Sequence, residues 1–145
     1  MATFTKTLSC VALGSLAIAV AGCATVPSQQ RFWLADTNWA IDDVNQVDTS
    51  GRTDFTARFT GSTFDARFGC RRVSGQYSIR YSATEDRVPI FEAHNAVISG
   101  NACTGSFAET IGPEVISSGN LVLNRDVDGR VRMVQPPTGI TLQPR

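Results

Sequence analysis

The segments Phe55-Thr56-Ala57-Arg58-Phe59 and Phe64-Asp65-Ala66-Arg67-Phe68 are near-copies of each other, with Gly61-Ser62 between them. Both alternate apolar and polar residues, the period of a half-buried strand. A two-residue Gly-Ser loop suits a type II′ turn, because glycine supplies the positive φ needed at the first central position. The register that follows pairs Phe59 with Phe64, Ala57 with Ala66 and Phe55 with Phe68, and sets Arg58 opposite Asp65 on the other face. A one-residue slip would move one strand's apolar set to the polar side, so the register is strongly specified. The near-repeat is a hairpin and not a tandem domain.

Turn-forming clusters recur along the chain at roughly ten-residue spacing. They are Thr49-Ser50-Gly51, Gly61-Ser62, Ser74-Gly75, Glu85-Asp86, Ser99-Gly100-Asn101, Ser118-Gly119-Asn120, Asp128-Gly129 and Pro136-Pro137. The rhythm predicts a mainly β fold, a curved antiparallel sheet or partly open barrel with at most one short helix. A second hairpin joins Leu121–Arg125 to Val131–Val134. A two-residue Asp-Gly loop would oppose Arg125 to Arg132, which is repulsive. A three-residue loop through Val127-Asp128-Gly129 instead sets Leu123 opposite Met133 and Asp126 opposite Arg130, with Gly129 left-handed. The helix candidate starts at Ser106-Phe107-Ala108-Glu109, the form of a capping box in which Ser106 and Glu109 satisfy each other's backbone donors. Gly112-Pro113 should stop it within about two turns or kink it into a second piece ending near Ile116.

The chain has 145 residues, 42% of them hydrophobic, with 13 Lys+Arg against 13 Asp+Glu. That is enough for one domain and too apolar for a disordered chain. Zero net charge excludes a polybasic nucleic-acid binder.

At the N-terminus Lys6 precedes an uncharged, mostly apolar run from Leu8 to Val20. As a helix it would reach roughly 20 Å, short of a roughly 30 Å hydrocarbon core, so it reads as a secretory signal. Val20-Ala21-Gly22-Cys23 resembles the lipobox of bacterial lipoproteins. The resemblance implies cleavage before Cys23 and acylation of its thiol, an anchor strong enough for stable membrane attachment. Ala24, and no Asp, follows the cysteine, which in the enterobacterial sorting rule favours the outer membrane. Residues 1–22 are thus a lipoprotein signal peptide and 23–31 a polar, Pro-containing tether to a domain over 32–145. The mature chain would carry twelve Arg and no Lys.

Cys70 and Cys103 remain after lipidation of Cys23 and removal of Cys10. In an oxidising compartment a disulfide is the default, and both should sit just past strand ends, paired and buried. Two cysteines and one distant histidine do not make a closed metal set. His94, the sole histidine, lies in a predicted strand as a surface or edge residue, and no GxSxG-type turn presents a nucleophile. Asp42-Asp43 and Glu85-Asp86 are adjacent pairs whose side chains diverge, and Asp126-x-Asp128-Gly129 lacks the remaining ligands of a calcium loop. Trp33 and Trp39 are expected in the core. Arg71-Arg72, the one adjacent cationic pair, reads as a solvated bend beside the disulfide, with contact to lipid phosphate or an anionic polymer as the alternative.

Gly69-Cys70-Arg71-Arg72-Val73-Ser74-Gly75-Gln76-Tyr77, following the Phe64–Phe68 strand, resembles the Gly-Cys-Asn-x-Phe-x-Gly-x-Tyr signature of the META domain, or HslJ-like, family. Trp39 and Ile41 resemble that family's opening strand, Ala102-Cys103 its second cysteine motif, and Leu121–Asp128 its late strand. The likeness spans about residues 33–143. Arg71 replaces the family's Asn, and the stretch after Cys103 is shorter than the family's helix. The resemblance implies a small envelope protein without an assigned activity or cofactor, and marks Gly69, Cys70, Gly75 and Tyr77 as motif residues. The expectation is a non-catalytic, lipid-anchored envelope protein with a binding, assembly or stress-related role and an envelope protein or lipid as partner. The alternatives are a carrier or chaperone of a lipid or small apolar ligand, and an inhibitor of a secreted enzyme such as lysozyme.

Overall fold

A computed structural model describes residues 33–145 apart from Glu85. The expected signal peptide, Cys23 and the expected tether lie outside the described residues. The strands are β1 (Thr37–Val44), β2 (Val47–Asp48), β3 (Phe55–Thr60), β4 (Thr63–Phe68), β5 (Arg71–Tyr81) and β6 (Pro89–Ser99), then β7 (Leu121–Arg125), β8 (Val131–Gln135) and β9 (Thr138–Pro144), with helix α1 (Phe107–Ser117) between β6 and β7. Neighbouring strands pair antiparallel, and β9 returns to β1, so eight strands close a barrel while β2 extends one edge of β1. The expected β fold is thus a closed barrel.

Both hairpins adopt the expected registers. Phe55 faces Phe68, Ala57 faces Ala66, Phe59 faces Phe64 and Arg58 faces Asp65, with Gly61 at φ 51°. In the second hairpin Leu123 faces Met133, the Asp126 amide donates to the Arg130 carbonyl at 2.8 Å, and Gly129 has φ 85°. Inward positions on β3–β6 interlock as aromatic rings: Phe59 meets Tyr77 edge-on at 5.5 Å and Phe91 at 6.0 Å, while Tyr77 and Phe91 stack at 5.4 Å. Trp39 is buried, and Trp33 packs against the core from its margin.

Three expectations need correction. Ser74-Gly75 is not a turn but an irregularity inside β5, where the register with β6 shifts between Ser74 and Gln76. A Cβ on Gly75 would lie 3.0 Å from Phe64 Cε1 and from the His94 carbonyl, so glycine serves close approach there rather than reversal. The helix is neither stopped nor split. It runs unbroken through Pro113 to Ser117. Proline forfeits one backbone bond, but its clash with a preceding side chain disappears because that residue is Gly112. Gly112 also seats the helix on the core, where a Cβ would fall 2.2 Å from Phe68 Cδ1. The disulfide, finally, is exposed rather than buried. Cys70 and Cys103 lie on the rim, and what lies beneath them is a carboxylate.

Helix α1 touches β4, β5 and β6 as well as β1 and β9. It therefore spans one mouth of the barrel. The seam beside it is the weakest pairing among the eight barrel strands, because β6 meets β7 only at Ile90–Val122 and Phe91–Leu121.

Candidate functional site

The chain leaves β4 through Gly69 and Cys70 and enters β5 at Arg71. The loop before α1 brings back Cys103, bonded to Cys70 with Cα atoms 5.6 Å apart, well inside the usual range. Glu109, in the first turn of α1, sends its carboxylate under this bridge. Oε1 accepts from the Cys70 amide at 2.8 Å and the Cys103 amide at 3.0 Å. Oε2 accepts from the Thr104 amide at 2.9 Å and the Thr104 hydroxyl at 2.7 Å. Gly69, at φ 64°, completes the cradle, since a Cβ there would lie 2.5 Å from Glu109 Oε1.

Solvent does not reach Glu109, yet the carboxylate lies shallowly, just beneath the rim loops. Hydrogen bonds therefore outweigh desolvation. The Cys103 amide, then the Cys70 amide and the Thr104 hydroxyl, hold its pKa down at about 2. Only half of the expected capping box forms. Ser106 Oγ accepts from the Glu109 amide at 3.2 Å, but Glu109 reaches the cysteine loops instead of returning to Ser106. Arg71 completes the join, donating to the Thr110 carbonyl at 2.7 Å and pairing with Glu114 at 3.3 Å.

Cys70, Cys103 and Glu109 place three donor atoms within 4.8 Å of one another. With the two sulfurs bonded to each other, only the saturated carboxylate is left to ligate, so the trio does not suit a metal. It fastens a helix and two loops to the barrel rim.

The polar recesses lie on the outer face. One, about 660 Å³, opens over Arg58, Thr60, Asp65, Ser74, Gln76 and Asn95. A second, about 480 Å³, opens over Thr56, Arg67, Arg72, Ser99 and Gly100, and shares Asp65 and Arg72 with the first. Arg72 Nε donates to Asp65 Oδ2 at 2.6 Å. Arg71 and Arg72, adjacent in sequence, thus point to different places, one to the helix and one to the sheet face.

Sequence reasoning missed one more cluster. Ser78 Oγ lies 2.8 Å from His94 Nε2 across the β5–β6 ladder, and Glu92 is 3.4 Å from the same hydroxyl. Arg80 donates to Glu92 at 2.7 Å and holds its carboxyl below the usual range. The histidine does not lie between serine and carboxylate, as a relay requires. Asp126 and Asp128 pair with Arg132 and Arg130 around the hairpin turn. Of the motif residues, Gly69 and Cys70 belong to the rim site. Gly75 makes the β5 irregularity, and Tyr77 is a core ring whose burial pushes its phenol up.

No protein-family model and no curated protein matches the chain. Among solved structures it is similar to an NMR structure of a protein from Burkholderia xenovorans, 14% identical over 77% of this chain and 83% of that one, with a TM-score of 0.49.

Proposed function

We propose that the protein is a non-catalytic envelope protein, anchored at the outer membrane through acyl chains on Cys23, whose barrel serves as a binding or assembly module. The observation that carries this reading is the division between inside and outside. Interlocked rings of Phe59, Tyr77 and Phe91 fill the interior between β3 and β6, whereas the polar recesses open outward from the same strands. A partner is therefore met on the outer sheet face, and the lipid-carrier alternative finds its internal volume occupied by side chains. The resemblance around Gly69–Tyr77 and Cys103 supports an envelope role of the META-domain kind. Photo-crosslinkers placed at Thr56 and Ser74 in intact cells test the reading. A discrete envelope adduct from these positions, absent from a crosslinker at Gln143, is expected. Turnover of cell-wall or ester substrates by purified Cys23→Ser protein would contradict the non-catalytic assignment.

A further inference from the structure

The two outer recesses carry unbalanced charge. Arg58, Arg67 and Arg72 line them, and Asp65 is the one acid among the lining residues. Asp65 is already bound by Arg72. Arg58 stands opposite Asp65 in register, yet has no ion pair with a described residue. Arg67 stands directly opposite Arg72 on the neighbouring strand, an arrangement of like charges that destabilises a sheet. Its own hydrogen bond, at 2.9 Å, goes to the Gly69 carbonyl and not to an acid, and Asp54, whose carboxylate feels its charge, is already bound by Arg52. A guanidinium fork fits phosphate oxygens in pairs, which a lysine cannot do. The larger recess adds hydroxyls and amides from Thr60, Thr63, Ser74, Gln76 and Asn95. With the Asp65 acceptor, these are the groups that hydrogen-bond sugar hydroxyls. Both recesses have the volume of small-molecule sites, roughly 300–1,000 Å³.

We propose that this face binds a phosphorylated sugar, the phosphate between Arg67 and Arg72 with Arg58 beside it, and the ring hydroxyls along Ser74, Gln76 and Asn95. The inference rests on the outer face being the binding surface and is independent of the Cys23 anchor. Titration calorimetry on the detergent-solubilised protein, with glucose 1-phosphate, glucose and inorganic phosphate as probes, tests it. Glucose 1-phosphate should bind at least about tenfold more tightly than either of the others, and more weakly as salt rises. The Arg58→Gln/Arg67→Gln double variant should lose at least about tenfold in affinity while keeping its thermal unfolding midpoint, because Arg67→Gln relieves the opposed charges. Arg87→Gln, a cation over the Tyr81 ring away from both recesses, should bind like wild type. Equal affinity for glucose or for bare phosphate, an equal loss in Arg87→Gln, or no binding at about 10 mM probe would overturn the proposal. So would binding to phosphatidylglycerol vesicles without binding to the soluble sugar phosphate. A protein that binds the probe but lacks acylation keeps this inference and refutes the anchor.

Discussion

A carboxylate out of reach of water is stable only when its oxygens are fully hydrogen-bonded, and Glu109 satisfies that demand with three amides and a hydroxyl. Because these bonds hold its pKa at about 2, against an ordinary 4.5, Glu109 stabilises the fold fully above the ordinary value. That contribution is lost as pH falls from there through about 2. Glu109→Gln turns an amide donor toward backbone donors. Its unfolding midpoint should lie below wild type at pH 7, with the gap closing as the pH approaches 2. Thermal unfolding followed by circular dichroism across that range checks this, and an unchanged gap in acid would count against the account. Gly69→Ala should cost about 1–3 kcal/mol in urea denaturation, from a positive φ combined with contact against the carboxylate. The residue-scale role of Glu109 was only half legible. Its place three residues after Ser106 signals a capping box, and nothing local announces that Cys70, 39 positions away, takes the side chain.

Among the elements, the hairpins were legible to the residue, since alternation and turn chemistry are both local. Phe59–Phe64 and Leu123–Met133 pair as the sequence indicates. The helix was not, because the missing side chain of Gly112 is what admits Pro113, and Gly112 is required by the ring of Phe68 on a distant strand. Ser78 and His94 meet for a similar reason, brought side by side by a ladder whose register shifts near Gly75. Gly112→Ala should cost about 1–3 kcal/mol by overpacking against Phe68, which is fully buried and has no room to yield. Replacing both Cys70 and Cys103 by alanine should cost about 2–5 kcal/mol and steepen the denaturant slope, because the uncrosslinked denatured chain exposes more surface. A loss well under 1 kcal/mol in either case would show that the rim and helix are joined more loosely than the geometry indicates.

At the scale of the molecule, a closed barrel is plugged at one mouth by a helix that the disulfide, Glu109 and Arg71 fasten to the rim. The β6–β7 seam has two residue pairs where β5–β6 runs nearly the full length of both strands. Amide exchange at Val122 should therefore be faster than at Tyr77, and equal protection would show the seam to be as cooperative as the rest. The partner surface proposed above is the outer sheet face, which carries both polar recesses. The most direct test of a lipid-anchored envelope protein is the mass of its first tryptic peptide, Cys23 to Arg31, from the outer-membrane fraction. The account predicts a peptide that begins at Cys23 and carries acyl chains on that residue. An unacylated Cys23 peptide, or one running uncleaved from Thr7 to Arg31, would contradict it.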